Sequence, residues 1–256
     1  MFDSHAHLDM SEFDADRESM IERAKTAGVD KILTVGIDTE SSIAARSLAK
    51  QYAGLYAAAG CHPHNSSDFT TAEADTLAEI AASGQVVAWG EIGLDFYRNN
   101  SPRGAQQKAF NIQLERAREL GLPVIIHNRE AHEEVLNAVK FMGKKDRAGV
   151  IHCFSGNLAL AHEFIALGYY ISIPGTVTFS KADSIREVAT GLSIENMLVE
   201  TDAPFLAPVP KRGRRNEPAF VSYTVKTIAR MKNMEPEEIS LITSRNACEL
   251  FGIPAI

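Results

Sequence analysis

Short apolar runs alternate with longer segments of helical periodicity along this chain, and the alternation occurs eight times. The apolar runs are predicted to be β-strands and cover residues 2–5, 31–35, 55–59, 86–91, 123–127, 149–152, 169–173 and 197–200. The other segments carry apolar residues three and four positions apart and are predicted to be helices. These helices cover residues 14–27, 39–52, 71–83, 104–120, 129–142, 157–167, 181–190, 222–230 and 236–251.

Strands that are each followed by a helix favour an α/β fold with a parallel sheet. Eight such units, with strand ends about 28 residues apart, are typical of a closed (β/α)8 TIM barrel. Gly28, Gly121 and Gly168 are predicted to end three of the helices and return the chain to the sheet. An open doubly wound sheet is the alternative, but no Gly-x-Gly-x-x-Gly follows the first strand. We therefore expect a single domain over residues 1–256.

The composition limits the classes of function. A net charge of −7 disfavours a broad, nonspecific grip on nucleic acid, although it allows a small basic mouth. The basic run at residues 211–215 is either a solvated loop or a phosphate-contacting one. The three cysteines lack CxxC spacing, no stretch of about 18 apolar residues could cross a membrane, and no signal peptide is recognisable. We expect a cytoplasmic protein with no membrane contact and no obligate protein partner.

Metal-capable side chains stand at or just beyond the ends of most predicted strands. They are His5, His7, His62, Glu91, His127, His152 and Asp202. In a barrel, the carboxyl ends of the strands lie on one face, where active sites form. His127 and His152 each end an otherwise apolar strand, where an unpaired polar group is costly and a metal would satisfy it. His5 and His7 share one face of a strand, because side chains alternate with a period of two.

With His62 set aside on its loop, the remaining four imidazoles and two carboxylates exceed the needs of one four-coordinate ion, so the sequence predicts two divalent metal ions bridged by a carboxylate. Glu91 is the predicted bridge, because it comes from a middle strand. His5, His7 and Asp202 would complete one site, and His127 and His152 the other. Two ions are the usual arrangement for attack on phosphate esters, and Asp202 is the predicted base that takes a proton from water.

Three further residues are given supporting positions. Asp3 and Glu200 each lie two residues before a predicted ligand, and are expected to orient the ligands from one layer deeper. Cys153 alternates to the face opposite its neighbour His152 and is expected to be a small apolar filler.

Six short motifs, in this order, resemble the TatD family of metal-dependent deoxyribonucleases. They are His5-Ala-His7-Leu8-Asp9, Gly60-Cys-His62-Pro63-His64, Gly90-Glu91-Ile-Gly93-Leu94-Asp95, Pro123-Val-Ile-Ile-His127-Asn-Arg129, His152-Cys-Phe154-Ser-Gly156 and Glu200-Thr-Asp202-Ala-Pro204. The segment 206–218 fits as well, and the resemblance covers essentially the whole chain. It implies a barrel of the metallo-dependent hydrolase type, two divalent ions, and hydrolysis of phosphodiester bonds in DNA, usually from the 3′ end of single strands. Family activity is generally associated with Mg or Mn, while imidazole-rich ligation also suits Zn or Ni.

The remaining candidates are substrate contacts at the mouth of the barrel: His62 for the scissile phosphate, Tyr97 for a base, and Arg129, Arg215 and Asn216 for phosphates. Arg129 could hold a phosphate bidentately, or instead form a salt bridge at the start of a helix. Asp95 is expected to orient a ligand histidine. RNA is a further possible substrate, and both DNA repair and DNA degradation fit a nuclease of this kind.

Two other functions are open on the sequence alone. A binuclear barrel could cleave another ester or an amide, for example as an aminoacyl-tRNA deacylase. Many barrels of that kind bridge their ions with a carboxylated lysine on the fourth strand, whereas residues 86–91 contain Glu91 and no lysine. A metal-binding scaffold without turnover is the second, and a complete donor set with a base disfavours it.

Overall fold

The computed structural model describes residues 1–82 and 84–254. In this part of the chain, the strands are β1 (Phe2–Ala6), β2 (Lys31–Val35), β3 (Leu55–Ala59), β4 (Val86–Asp95), β5 (Val124–Arg129), β6 (Gly149–Ile151), β7 (Tyr169–Ile173) and β8 (Met197–Val199). The α-helices are α1 (Arg17–Thr26), α2 (Thr39–Gln51), α3 (Thr71–Ala82), α4 (Arg103–Leu120), α5 (His132–Met142), α6 (Leu158–Ala166), α7 (Asp183–Gly191), α8 (Val221–Lys232) and α9 (Pro236–Phe251). None of these helices is both long and apolar enough to span a membrane.

The strands form one parallel sheet in the order β1 to β8. Its two edges meet where Ala6 of β1 pairs with Ala203, which follows β8. Two backbone hydrogen bonds join the same edges: the Asp202 N–H donates to the His5 carbonyl (2.9 Å), and the His7 N–H donates to the Ala203 carbonyl (2.7 Å). The predicted (β/α)8 barrel is therefore confirmed.

Apolar residues fill the barrel and the space between the sheet and its helices. The inner cluster takes residues from strands β1 to β6 and β8, namely Phe2, Leu33, Val35, Ala58, Ala88, Ile125, Val150 and Leu198. Helix α9 covers this cluster with Leu250 and Phe251, and the Phe251 ring lies 6.1 Å from that of Phe2. Phe2 opens β1, so α9 closes the amino-terminal end of the barrel and leaves the carboxyl end open for a site.

Several predicted boundaries are wrong. Strand β4 continues beyond Glu91 to Asp95, because its last residues pair with β5 as far as Arg129. The helix predicted from residue 129 therefore starts only at His132. Helix α1 starts at Arg17 rather than at residue 14, because residues 11–13 form a separate 3-10 turn. The predicted end of the third helix, Ser83, lies outside the described residues.

The glycines predicted to end helices have left-handed backbone conformations. Gly28, Gly121 and Gly168 have φ angles of +81°, +69° and +93°. A Cβ at Gly168 would lie 1.9 Å from the carbonyl oxygen of Lys145. Glycine is the residue that adopts this conformation at no steric cost, so the chain can turn back into the sheet directly after each helix.

Candidate active site

The carboxyl ends of the strands surround a cavity of about 640 Å³. Most of the predicted chemistry lines it, including His7, His62, Glu91, Asp95, His127, Arg129, His152 and Asp202. His5 is fully buried behind this lining, and its ring stacks on that of His152 with centroids 3.9 Å apart. The fold therefore brings residues of β1, β4 and β5, and of the segments directly after β1, β3, β6 and β8, into one cluster.

Glu91 reaches this cluster because β4 and β5 approach each other closely. A Cβ at Gly90 would lie 2.7 Å from the Cβ of Ile125. A Cβ at Gly93, where φ is +138°, would lie 2.0 Å from the carbonyl oxygen of His127. Any side chain at these two positions would push the strands apart. The Gly-Glu-x-Gly spacing thus sets the position of the carboxylate.

The two oxygens of Glu91 face two separate groups of imidazole nitrogens. Oε2 lies 3.3 Å from Nε2 of His5 and 3.7 Å from Nε2 of His7. Oε1 lies 2.9 Å from Nδ1 of His127 and 2.8 Å from Nε2 of His152. We call the first set, together with Asp202, the β1/β8 group, and the second set the β5/β6 group.

Asp202 completes the β1/β8 group. Its Oδ1 lies 3.5 Å from Nε2 of His7 and 3.8 Å from Nε2 of His5, and its side chain is 13% exposed in the cavity. Nδ1 of His7 lies 2.9 Å from the Val35 carbonyl and donates its proton there. Because the neutral ring has one proton, Nε2 of His7 keeps a free lone pair that faces the carboxylates.

Carboxylates behind the β5/β6 group set the orientation of its rings. Oδ2 of Asp95 lies 3.2 Å from Nε2 of His127, so Nδ1 of that ring faces Glu91. Oε1 of Glu200 lies 3.5 Å from Nδ1 of His152, an ionic contact without a hydrogen bond, and Nε2 of that ring faces Glu91. A carboxylate behind a metal-binding histidine fixes its tautomer and makes the ring a stronger ligand.

His62 differs from the other histidines of the cluster. Its Nδ1 accepts a hydrogen bond from the His64 N–H (3.1 Å), so the neutral ring carries its proton on Nε2, 3.4 Å from Oε1 of Glu91. Burial lowers the pKa of His62 to about 4, which keeps the ring neutral. His62 is thus a hydrogen-bond donor into the cavity. Nε2 of His64 lies 2.8 Å from Oδ2 of Asp95, a contact that the His-Pro-His spacing alone did not predict.

The carboxylates are ionised despite their burial. Burial raises the pKa of Glu91, but His152, His62 and other nearby imidazoles outweigh it and hold that pKa well below its usual range. Burial also raises the pKa of Asp202, and there the hydrogen bond with His7 and the charge of His152 make the net shift downward. The carboxylates of Glu91 and Asp202 therefore carry negative charge at the floor of the cavity, and this charge would attract a cation.

The imidazoles that face these carboxylates hold protons more tightly than usual. Burial lowers the pKa of His7, but Asp202 and Glu91 outweigh it and raise that pKa to about 9. Burial also lowers the pKa of His152, but Glu91 and other carboxylates outweigh it and raise that pKa well above its usual value. At His127 burial is outweighed in the same way by the hydrogen bonds with Asp95 and Glu91, so its pKa is raised too. Protons on these rings balance the carboxylates in the protein alone, and a metal cation would replace them.

The donor atoms fit a divalent metal. Three sets of side chains each place one nitrogen or oxygen atom within 4.8 Å of one another: His5, His7 and Asp202; His5, His152 and Glu200; and His62, Glu91 and His127. In the last set the neutral His62 ring directs a protonated nitrogen at Glu91, so the metal ligands of that set are Glu91 and His127. Nδ1 of His5 is buried and has no hydrogen-bond partner among the described residues. Imidazole nitrogen and carboxylate oxygen together suit Zn, Mn and Ni, and carboxylates suit Mg.

The buried carboxylates that were predicted to orient the ligands have different partners from one another. Asp3 accepts hydrogen bonds from the backbone N–H (2.8 Å) and hydroxyl (2.6 Å) of Thr201, so it holds the segment that leads to Asp202. Glu200 accepts a hydrogen bond from the Cys153 N–H (2.7 Å) and faces His152. Burial raises the pKa of Asp3 to about 8.

The prediction that Cys153 faces away from the site was wrong. Cys153 lines the cavity. Strand β6 ends at Ile151, and Cys153 has a left-handed φ of +43°, so the alternation of the strand does not extend to it. Burial, and then the charge of Asp202, raise the pKa of its thiol well above the usual range.

The structure also corrects the predicted phosphate contacts after β8. Arg215 donates to both carboxylate oxygens of Asp16 (2.7 and 2.9 Å) and lies over the ring of Phe13. Asn216 is fully buried, and its Nδ2 donates to the carbonyls of Thr201 (2.8 Å) and Phe205 (2.6 Å). Arg215 ties its part of the loop to the start of α1, and Asn216 ties it to residues just after β8, so neither side chain reaches the cavity.

Two predicted substrate contacts pack against each other at the rim. The guanidinium of Arg129 lies over the ring of Tyr97, 4.1 Å from its centroid, and that of Arg98 lies 5.9 Å from it. Arg129 and Arg98 line the cavity, and Tyr97 is 61% exposed. Arg129 closes β5 instead of starting a helix, so it does not form the helix-start salt bridge that was its alternative.

Comparison with known proteins gives a consistent family. The family described as "TatD related DNase" matches residues 2–252. "Uncharacterized metal-dependent hydrolase YabD" from Bacillus subtilis is 42% identical over 253 residues, 99% of each chain. "3′-5′ ssDNA/RNA exonuclease TatD" from Klebsiella pneumoniae is 37% identical over 258 residues, 99% of this chain and 98% of that protein. The crystal structure of YJJV, a TatD homolog from Escherichia coli, has a TM-score of 0.93 and 33% identity, and covers 99% of this chain and 98% of that one.

A parallel eight-stranded barrel with imidazole and carboxylate donors at the carboxyl ends of its strands defines the class: the protein is a metal-dependent hydrolase that acts on ester bonds. Within that class, the chain belongs to the TatD-related DNase family.

Proposed function

We propose that this protein is a deoxyribonuclease that removes nucleotides from the 3′ end of single-stranded DNA, and of RNA, with two divalent metal ions. The observation that carries the proposal is the division of Glu91, whose two oxygens face two different groups of imidazoles. The β1/β8 group would hold one ion through His5, His7 and Asp202. The β5/β6 group would hold the other through His127 and His152, with Glu91 common to both. Mg or Mn is proposed for activity, with Zn or Ni as ions that the same donors also accept.

Each remaining part of the cavity has a role in phosphodiester hydrolysis. When bound, divalent ions at such a centre neutralise the charge of the phosphate and lower the pKa of a water. Asp202 is ionised and reaches the cavity, so its carboxylate can orient an attacking water and accept its proton. His62 can donate its Nε2 proton to an oxygen of the scissile phosphate. Arg129, which Tyr97 holds in place, can bind a neighbouring phosphate.

The relatives and the charge support a nuclease that takes strand ends. The Klebsiella pneumoniae relative is named as a 3′-5′ ssDNA/RNA exonuclease, and the direction and substrates in that name are proposed here for this chain. A net charge of −7 suits a small cationic mouth better than a long track on duplex DNA. Trimming of strand ends would serve DNA repair or DNA degradation. The three cysteines are free, which fits the expected cytoplasmic location.

The proposal is tested with a 5′-labelled single-stranded oligonucleotide and metal-stripped protein, with and without added Mg or Mn. We expect ladders that shorten from the 3′ end only when metal is present. The shape-preserving variants Glu91→Gln and Asp202→Asn should lose at least about a hundredfold in rate, because each removes a charge from the donor cluster. Glu115→Gln, on the exposed face of α4, is the matched control and should keep wild-type activity.

Two outcomes would contradict the proposal. Activity that survives chelation, or that persists in both carboxylate variants, would exclude the metal centre as its source. A wild-type protein that binds metal but leaves every DNA and RNA strand intact would exclude the nuclease function, and aminoacyl esters and amides would then be the next substrates to test.

A further inference from the structure

The mouth of the cavity has an apolar side and a cationic side. The loops after β8, β1 and β2, which are neighbours in the barrel, supply the apolar side with Phe205, Leu206, Met10 and Ile37. The loop after β4 and the last residue of β5 supply the cationic side with Arg98 and Arg129. The donor cluster at Glu91 takes residues from strands on both sides. A ligand that reaches the metal centre therefore meets unlike chemistry on its two flanks.

Phe205 and Leu206 are held in an exposed position. They are 46% and 40% exposed, although side chains of this kind are usually buried. The Phe205 N–H donates to the Asp202 carbonyl (2.8 Å), and its own carbonyl accepts a hydrogen bond from Asn216 (2.6 Å). The ring of Phe205 lies 6.1 Å from that of His7, in an edge-on arrangement. A fixed apolar ring thus stands directly beside the β1/β8 group.

The cationic side carries charge that the protein does not neutralise. No carboxylate of the described residues lies within ion-pair distance of the guanidinium of Arg98 or of Arg129. Arg129 is exposed and covers one face of Tyr97 at 4.1 Å. That face of Tyr97 is therefore not open to a base, whereas the ring of Phe205 on the opposite flank is.

We propose that the apolar side binds the terminal base of the nucleic-acid strand, with Phe205 as its stacking platform, and that Arg98 and Arg129 bind the phosphates on the 5′ side of the scissile bond. This assignment rests on the nuclease function proposed above. A strand end presents a flat, uncharged base on one side of its last phosphodiester and a row of anionic phosphates on the other, which matches the two flanks. Stacking on an aromatic ring tolerates every base, because every base has a π-face.

The assignment also gives a reason for the protein to prefer single-stranded over double-stranded ends. A base in a duplex is stacked and paired, and it must be freed before its face can lie on a protein ring. An unpaired terminal base needs no such step. Phe205 thus becomes a specificity-determining residue for this hydrolase.

The test compares two 5′-labelled oligonucleotides of equal length that differ only in the last residue, which carries a base in one and is abasic in the other. For the wild type, we expect kcat/KM about tenfold lower on the abasic end, within the range that stacking of one base contributes. Phe205→Ala should lower kcat/KM about tenfold on the strand that ends in a base and should leave kcat/KM on the abasic strand almost unchanged. Phe205→Trp should keep the preference for a base, and Arg129→Gln should lower kcat/KM on both strands equally. Phe141→Ala, which removes an exposed ring on α5, is the matched control.

The outcomes separate this inference from the function on which it rests. If the wild type hydrolyses both strands and Phe205→Ala lowers both rates alike, Phe205 has only a structural role and the inference fails while the nuclease function stands. If the wild type does not distinguish the two ends, the inference also fails alone. If the wild type hydrolyses neither strand with metal present, both proposals fail together.

Discussion

At the scale of single residues, the partner of one ring nitrogen decides what the other nitrogen can do. His7 donates its Nδ1 proton to the Val35 carbonyl, so the Nε2 lone pair is free for a cation. His62 accepts the His64 N–H on Nδ1, so its neutral ring can only donate from Nε2. Both rings lie within 4 Å of Glu91, yet one is suited to a metal and the other to a phosphate oxygen.

We expect metal binding to release protons at pH 7 and to release fewer as the pH rises through about 9. Without metal, the pKa of His7 is raised to about 9 and that of His152 well above its usual value, so both rings are protonated at pH 7 and an incoming cation must displace those protons. Protonation of His7 favours the folded protein fully below its unfolded pKa of about 6.5, and this contribution is lost as the pH rises through about 9. Because fewer protons must be displaced as the pH rises, apparent metal affinity should increase between pH 7 and about 9.

Calorimetric titration of Mn into chelator-treated protein, in two buffers of different ionisation enthalpy, measures the number of protons released. Proton release that is the same at pH 7 and pH 9.5 would contradict the assignment of these rings as ligands.

At the scale of elements, strand β4 determines the geometry of the site, because its glycines let it approach β5. Gly93→Ala should destabilise the protein by about 2 kcal/mol or more, since φ is +138° and the new Cβ would lie 2.0 Å from the His127 carbonyl oxygen. Urea unfolding in the presence of a chelator measures this without a contribution from metal. Gly104→Ala is the matched control: Gly104 is exposed in the first turn of α4 with nothing within 4 Å of an added Cβ, so the change should be neutral or stabilise by up to about 1 kcal/mol. Equal stabilities of the two variants would show that the close approach of the strands is not required.

At the scale of the whole molecule, the candidate metal centre spans the place where the barrel closes. Its donors come from β1, the residues after it and the segment after β8 on one side, and from β4, β5 and the residue after β6 on the other. The described contacts across the closure are one isolated bridge and a few hydrogen bonds between residues 3–7 and 199–203. Metal should therefore stabilise the fold as a unit. At about a hundred times its Kd, one ion contributes about 2.7 kcal/mol, on the order of 5–10 °C in Tm for a chain of this size. Calorimetric or fluorescence melts with chelator and with Mn give the shift.

Variants divide this shift between the two donor groups. Glu91 contacts both groups, so Glu91→Gln should lose most of the metal-induced rise in Tm. Asp202 belongs to the β1/β8 group alone, so Asp202→Asn should keep part of that rise. Glu115→Gln should keep all of it. An equal shift in all three variants would mean that the metal binds elsewhere.

The barrel and its donors could be predicted from the sequence because both are local properties. Apolar periodicity identifies each strand and helix within a short window, and a histidine or carboxylate at a strand end is visible without knowing what it faces. The same signals missed the extension of β4 to Asp95, because that pairing depends on β5 and not on the residues of β4 alone. Nothing in the residues around Phe205 predicts that its ring is exposed at the mouth of the cavity.

Short-range patterns were enough to predict the fold class and to identify candidate metal donors at the strand ends. Contacts in the folded chain were needed to show how the donors divide between the two oxygens of Glu91, which nitrogen of each ring is free, and that Cys153 lines the cavity. The same contacts also showed that Arg215 reaches back to Asp16, 199 residues earlier in the chain, instead of reaching the site. The physical reason is that strand ends are located by short-range patterns, whereas tautomers, loop paths and ion pairs depend on contacts between residues that are far apart in sequence.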